Sequence, residues 1–256
     1  MIKSRNIFHM KKIVLTAICY CFSYASIVAQ NTILFPSLDS VQIAADLYIA
    51  HDSEAPFIIL FHQATYSRGE YLEIAPKLNM EGFNCMAVDL RSGYGVNNIA
   101  NITAQNAKKA KMPYRFIDTY QDIKSAVDYA RKNLAKGTLI IWGSSYSSSL
   151  VIKYAGEYKN VDGVLSFSPG EYFKNEGKPA DFIIKTANGV TAPVFITSKQ
   201  TERANWIDIY SAIPSKKKVY FLPEFEGKHG SAALWEKTEG NDKYWEAVLS
   251  FLIDLK

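Results

Sequence analysis

Residues 138–149 read TLIIWGSSYSSS, and this stretch decides the fold. It begins with an apolar run of strand-forming residues, breaks at Gly143, and continues into residues with the apolar spacing of a helix. A strand that turns sharply into a helix is the setting of a nucleophilic serine, because small flanking residues let the two elements approach closely. Ser145 follows Gly143 by two positions, so it is the candidate nucleophile. Ser147 stands where glycine is usual, and a serine-rich helix N-terminus is the alternative interpretation.

The first 29 residues have the layout of a secretory signal. Their four basic residues precede an apolar run at 13–28, they contain no acid, and Ala29 is the expected last residue of the signal. We therefore predict that 1–29 is a signal peptide, that 30–256 is a single domain, and that the protein is exported to the periplasm or the exterior. An uncleaved anchor is the alternative, but the run is short and contains Ser, Thr and Cys.

Removal of the signal leaves 25 basic and 25 acidic residues, so the mature chain has no formal net charge. This balance argues against nucleic acid as a partner and against a stable membrane attachment after processing. Cys85 is the one cysteine outside the signal, and its apolar neighbours predict a buried side chain. Neither an internal disulfide nor a Cys and His spacing typical of a metal site is expected.

Apolar runs alternate with helical patterns after an opening hairpin. The predicted strands are 32–36, 41–49, 57–61, 83–90, 139–142, 164–167, 193–197 and 219–222. Ser67 and Glu70 form the Ser-x-x-Glu pattern of a helix-capping box, and Pro76 should kink or restart the helix that follows. Residues 92–113 and 168–190 are expected to be irregular. Alternation of this kind predicts a parallel sheet covered by helices.

Catalytic groups in such sheets lie in loops at the carboxyl ends of the strands. His229 follows the last predicted strand, and Glu202 follows the strand at 193–197. A serine hydroxyl needs an imidazole to take its proton, and the imidazole needs a carboxylate to fix its tautomer. The order Ser145, Glu202, His229 is one of the known triad orders. Glu171 follows the preceding strand and is the competing acid.

Two further motifs complete the pattern: Phe61-His62-Gln63-Ala64 after the third strand and Asp89-Leu90-Arg91-Ser92-Gly93 after the fourth. With these motifs, residues 32–256 resemble α/β-hydrolases, closest in layout to small serine esterases of the dienelactone-hydrolase type. The resemblance implies an α/β-hydrolase fold: a three-layer sandwich with a mostly parallel sheet of about eight strands and an antiparallel N-terminal hairpin.

The same resemblance implies an oxyanion hole formed by the backbone N–H groups of Tyr146 and of Gln63 or Ala64. His62 is interpreted as a structural support of the loop. The predicted activity is hydrolysis of a small carboxylic ester through an acyl-enzyme, without cofactor or metal; the sequence does not indicate the oligomeric state. A peptidase or amidase of the same fold is one alternative, and a non-catalytic binding protein is another, because Gln63 and Ser147 depart from the family pattern.

The first testable prediction concerns export. The mature protein should begin near Gln30 or Asn31, because the apolar run is too short and too polar to anchor the chain well. N-terminal sequencing of the protein from its native host measures this directly. Recovery of an intact segment 10–28 in the membrane fraction would contradict the prediction.

Overall fold

The computed structural model describes residues 31–256, so the predicted signal peptide lies outside the described residues. Its centre is a sheet of eight strands in the order β1-β2-β4-β3-β7-β8-β9-β10. The strands are β1 (Asn31–Pro36), β2 (Gln42–Tyr48), β3 (Phe57–Phe61), β4 (Asn84–Val88), β7 (Leu139–Ser144), β8 (Gly163–Phe167), β9 (Val194–Thr197) and β10 (Lys218–Phe221). β1–β2 and β2–β4 pair antiparallel and the other neighbours pair parallel. The predicted sheet and N-terminal hairpin are confirmed.

Helices cover both faces of the sheet. They are α1 (Ile74–Met80), α2 (Ile102–Lys109), α3 (Tyr120–Asn133), α4 (Tyr146–Glu157), α5 (Phe182–Ala187), α6 (Arg203–Ala212) and α7 (Asn241–Ile253). α3, α4, α5 and α6 contribute to the core on one face, and α1 and α7 contribute to the core on the other. No helix within residues 31–256 is long and apolar enough to cross a membrane.

The central strands are apolar on both faces because helices pack against each of them. Ile59 and Ile141 belong to the core under α3 and α4, whereas Ile58 and Ile140 belong to the core under α1 and α7. All four side chains are fully buried. Cys85 on β4 is also fully buried, as its apolar context predicts. The continuous apolar runs in the sequence therefore reflect strands buried on two sides.

The expectation that 92–113 is irregular is wrong. This segment contains a short hairpin, β5 (Gly95–Val96) and β6 (Ile99–Ala100), followed by α2. Asn101 caps α2, since its side chain accepts a hydrogen bond from the amide of Ala104 at 2.8 Å. Thr103 accepts one from the amide of Ala44 on β2 at 2.9 Å. The helix is short and mostly polar, so it depends on these tertiary contacts rather than on a strong apolar pattern.

The segment 168–190 is likewise not irregular throughout, because it contains α5. The carboxylate of Glu171 accepts hydrogen bonds from the amides of Ile183 and Ile184 at 2.9 Å. These are N-terminal amides of the helix, which lack partners within it. Glu171 thus satisfies the start of α5 from a distance of twelve residues in the sequence.

Pro76 restarts the helical segment, one of the two outcomes predicted for it. The chain forms a 3₁₀ turn at Arg68–Tyr71, and α1 begins at Ile74. Pro76 therefore lies in the first turn of α1, where its missing N–H costs no helical hydrogen bond.

Arg91, three residues after the end of β4, joins three parts of the fold. Its guanidinium is almost fully buried and contacts Asp39 in the turn between β1 and β2 at 2.6 Å and Asp122 on α3 at 2.7 Å. Hydrogen bonds from Arg91 outweigh burial and lower the pKa of Asp39 to about 2. The ion pair therefore fixes the loop after β4, which borders the predicted oxyanion loop.

This ion pair generates a prediction about acid stability. The lowered pKa means that Asp39 contributes stability above its ordinary pKa near 3.8 and loses it as the pH falls toward 2. Asp39→Asn should lower the free energy of unfolding by about 1–2 kcal/mol at pH 7, with the difference shrinking below pH 3. Urea unfolding across this range measures it, with Asp208→Asn on the exposed face of α6 as the control. Equal losses at pH 7 and pH 2 would contradict the assignment.

Candidate active site

The nucleophile turn, residues 143–147, connects β7 to α4 directly. Ser145 lies between the two elements with φ 60° and ψ −124°, a conformation that side chains other than glycine rarely adopt. A Cβ on Gly143 would lie 2.5 Å from backbone atoms of Ser147 and Ser148. Glycine is therefore required here for the close approach of the helix to the strand. Ser145 is almost fully buried, and its amide donates to the carbonyl of Phe167 on β8 at 2.7 Å.

Ser147, which replaces the usual glycine, stabilises this turn through hydrogen bonds of its hydroxyl group. Its hydroxyl is fully buried and accepts a hydrogen bond from the amide of Ser144 at 2.9 Å. It also lies within donating distance of the carbonyls of Phe61, at 2.8 Å, and Ser144, at 2.9 Å. The hydroxyl thus connects the turn to the end of β3. The departure from the family pattern is compatible with the strained geometry of Ser145.

His229 and Glu202 are in direct contact at the same edge of the sheet. The Nδ1 atom of His229 lies 2.7 Å from Oε1 of Glu202. Burial acts to raise the pKa of Glu202, but hydrogen bonds to His229 and Ser168 outweigh it and hold the pKa below its usual value. Glu202 is therefore an anion suited to hold one imidazole tautomer. Of the two acids weighed from the sequence, Glu202 contacts His229, whereas Glu171 binds the N-terminus of α5.

Backbone amides of the base loop, residues 226–231, donate hydrogen bonds to a serine hydroxyl of the nucleophile turn and to another directly after β8. The amide of Ser231 donates to the hydroxyl of Ser144 at 2.8 Å, and the amide of Gly230 donates to the hydroxyl of Ser168 at 3.0 Å. These contacts bring His229 to the edge that carries Ser145. Among the hydrogen bonds of residues 31–256 there is none between the Ser145 hydroxyl and His229, and such contacts often close only when substrate binds.

The oxyanion loop, residues 62–66, alters one predicted assignment. The amide of Tyr146 is at the first position of α4, where no helical acceptor is available to it. The amide of Gln63, however, donates to Oε2 of Glu70 at 2.8 Å, and its side-chain amide lies 3.3 Å from Oε1. The backbone amide of Gln63 is therefore already bound to Glu70 and does not point to an oxyanion. Tyr146 and Ala64 remain as the predicted donors to an oxyanion.

His62 supports this loop as the sequence interpretation expected. Its Nε2 atom accepts from the amide of Leu90 at 2.9 Å, so the proton is on Nδ1, which donates to the carbonyl of Gln63 at 2.8 Å. Burial lowers the pKa of His62 to about 4. The imidazole is therefore neutral near pH 7 and joins the oxyanion loop to the end of β4.

Glu70 is the site residue that sequence reasoning missed. The capping-box pattern assigned it to a helix start, and Ser67 does cap the 3₁₀ turn by accepting from the amide of Gly69. The Glu70 side chain instead turns toward Gln63 and Ser144, whose hydroxyl donates to Oε1 at 2.8 Å. Full burial raises the pKa of Glu70 to about 7. No local pattern distinguishes this glutamate from one that completes a cap.

Aromatic side chains stand beside the nucleophile. Tyr146 stacks on Phe116 with ring centroids 4.4 Å apart. The Tyr172 hydroxyl donates to the carbonyl of Ser168 at 2.6 Å, directly after β8, and burial raises the pKa of Tyr172. A separate cavity of about 550 Å³ lies between Tyr66 and the base loop.

The fold and these turns define the class of protein: a hydrolase of the α/β-hydrolase fold, similar to dienelactone hydrolases. A family model described as "Serine aminopeptidase, S33" matches residues 53–222, and the chain belongs to this hydrolase family. The resemblance inferred from the sequence motifs is confirmed. No curated protein matches the sequence.

Solved structures with this fold include several esterases. A dienelactone hydrolase from Anabaena variabilis has a TM-score of 0.68 at 14% identity, covering 89% of this chain and 98% of that one. The esterase Pf2001 from Pyrococcus furiosus has 0.66 at 16%, covering 89% and 93%. An acetyl xylan esterase from Paenibacillus sp. R4 has 0.64 at 14%, covering 88% and 83%. Likeness at this level of identity shows the shared fold.

The close approach at Gly143 generates the next prediction. Gly143→Ala should destabilise the protein by about 3 kcal/mol, because the methyl group added on β7 meets backbone atoms of α4, which packs directly against this strand. Chemical denaturation measures the loss. Gly177→Ala is the matched control: that site has a left-handed backbone but open space, so its cost should be about 1 kcal/mol. Equal losses of unfolding free energy for the two variants would contradict the prediction, because the close contact with α4 would then add no cost at Gly143.

Proposed function

We propose that this protein is an exported serine hydrolase that cleaves carboxylic esters through Ser145, His229 and Glu202. The observation that carries the proposal is the strained serine of the nucleophile turn at the same sheet edge as the His229–Glu202 pair. A serine held at positive φ has its side chain directed away from the strand and helix that flank it. The imidazole and its carboxylate supply the base that the hydroxyl requires.

The reaction proceeds in two half-reactions. Ser145 Oγ attacks the ester carbonyl carbon while Nε2 of His229 takes the hydroxyl proton, and Glu202 stabilises the resulting imidazolium through Nδ1–H. The tetrahedral oxyanion accepts hydrogen bonds from the amides of Tyr146 and Ala64. Collapse of this intermediate expels the alcohol, which receives the proton from His229. Water then attacks the acyl-enzyme by the same steps and releases the acid.

The family description favours a second candidate, a peptidase or amidase with the same triad. An aminopeptidase must also bind a free ammonium group, for which a carboxylate is the natural partner. Four acids in this part of the fold are already paired: Glu202 with His229, Glu171 with the amides of α5, Glu70 with Gln63 and Ser144, and Glu176 with the amides of Phe116 and Ile117. These four carboxylates are not free to bind an ammonium group, which favours an ester over a peptide with a free N-terminus.

Substitution at the two acids tests the proposal. Glu202→Gln keeps the shape but loses the charge that holds His229, so kcat should fall by about 10²–10⁴-fold. Glu171→Gln should weaken the start of α5 by about 1 kcal/mol and leave kcat nearly unchanged. Hydrolysis of short p-nitrophenyl esters measures turnover. Each variant is first checked for a cooperative unfolding transition close to that of the wild type.

Two further measurements identify the nucleophile and separate the candidates. Ser145→Ala and His229→Ala should each remove most activity, and their combination should add little, because triad members act as a unit. A fluorophosphonate should label the wild type at Ser145, as mass mapping of the peptide would reveal. Faster turnover of aminoacyl amides than of esters would favour the peptidase. A wild-type protein that resists the label and hydrolyses neither substrate would indicate a non-catalytic binding protein.

A further inference from the structure

Glu70 is a buried acid for which the proposed reaction gives no role. It lies on the 3₁₀ turn Arg68–Tyr71, and its side chain is fully excluded from solvent. The amide of Gln63 donates to Oε2 at 2.8 Å, and the hydroxyl of Ser144 donates to Oε1 at 2.8 Å. The side-chain amide of Gln63 adds a longer contact to Oε1 at 3.3 Å. Every hydrogen-bonding neighbour of the carboxylate is thus a donor.

The partners of Ser144 determine the direction of its hydrogen bond to Glu70. The hydroxyl of Ser144 accepts from the amide of Ser231 at 2.8 Å, so its single proton is free to point at Glu70. One continuous line of hydrogen bonds therefore runs from Gln63 in the oxyanion loop through Glu70 and Ser144 to Ser231 in the base loop. Ser144 is also the residue directly before the nucleophile. The oxyanion loop and the nucleophile turn therefore meet at the Glu70 carboxylate, and the base loop is joined to them through Ser144.

The hydrogen bonds from Gln63 and Ser144 are the contacts that hold this buried carboxylate. Among residues 31–256 no lysine or arginine forms an ion pair with Glu70. Burial raises the pKa of Glu70, and the hydrogen bonds from Gln63 and Ser144 oppose that rise. The carboxylate therefore depends on the oxyanion loop and the nucleophile turn for its donors, and an unpaired donor in either segment would be costly.

We propose that Glu70 is a positioning residue, which holds the oxyanion loop and the base loop against the nucleophile turn, so that the oxyanion donors and His229 are in place beside Ser145 during ester attack. The proposal rests on the proposed function of Ser145 and His229. It also explains why a glutamine at position 63 is compatible with an oxyanion loop, since Gln63 binds Glu70 with both of its amide groups.

Glu70 and an exposed neighbour are compared by the same substitution. Glu70→Gln keeps the size but replaces one acceptor oxygen by a donor, and Glu73→Gln makes the same change three positions away at an exposed glutamate. Ester hydrolysis is measured as kcat and KM, together with the rate of fluorophosphonate labelling. Glu70→Gln should lower kcat/KM about tenfold, with most of the loss in kcat, because the oxyanion donors and the base act in the transition state. KM should stay close to the wild-type value, since the Glu70 side chain is fully buried.

Ser144→Ala is the second variant, in case Glu70→Gln does not fold. It leaves the carboxylate in place but removes the connection to the base loop, and it should lower kcat in the same direction, with KM again close to the wild-type value. Glu73→Gln should match the wild type in both measurements.

The outcomes separate the two proposals. If the wild type is labelled at Ser145 and Glu70→Gln keeps the wild-type kcat/KM and labelling rate, the role of Glu70 is overturned while the triad stands. If Glu70→Gln loses kcat and labelling rate only in proportion to the fraction of protein that is folded, Glu70 is structural and its positioning role is overturned. A wild type that is neither labelled nor active overturns the triad and with it the role of Glu70.

Discussion

The backbone conformation of Ser145 is the constraint on which the rest of the site depends. A positive φ at a non-glycine residue is unfavourable and persists only where neighbouring contacts determine it. Here Gly143 lets α4 approach β7, and the hydroxyl of Ser147 ties the turn to the end of β3. The amide of Ser145 is held by β8. The strained residue therefore lies at the carboxyl end of the central strand β7, between the ends of β3 and β8.

Buried serine hydroxyl groups connect the nucleophile turn and the neighbouring strand end to the base loop. Ser144 is the last residue of β7, and Ser168 directly follows the neighbouring strand β8. Each hydroxyl accepts a hydrogen bond from a backbone amide of the base loop. Buried polar groups of this kind specify a single arrangement when all of them are paired, because an unpaired group is costly. The base loop that carries His229 has no regular secondary structure before Ser231. Its position relative to the nucleophile is set by these hydroxyls together with the apolar packing of residues 232–235 that follow it.

Sequence patterns predicted what depends on local chemistry and on strand order. The apolar runs located all eight strands of the sheet, and the strand-turn-helix at Ser145 followed from Gly143 and the residues around it. The meeting of Glu202 and His229 followed from parallel topology, since both follow neighbouring strands. The helix α2 was missed because it is short and mostly polar and is anchored to β2 through Thr103, and α5 was missed because it is short and its first amides are bound by Glu171, twelve residues away.

The same limit explains why the two glutamates at the site were understood so differently. Glu202 and Glu70 are chemically identical, but their environments shift the two pKa values in opposite directions. Hydrogen bonds to His229 and Ser168 outweigh the partial burial of Glu202 and lower its pKa, whereas complete burial outweighs three hydrogen bonds at Glu70 and raises its pKa to about 7. Such divergence separates the roles of paired acids in many enzymes. Spacing along the chain reveals an acid that follows a strand, but the burial that distinguishes Glu70 arises only when β3, β7 and the base loop pack together.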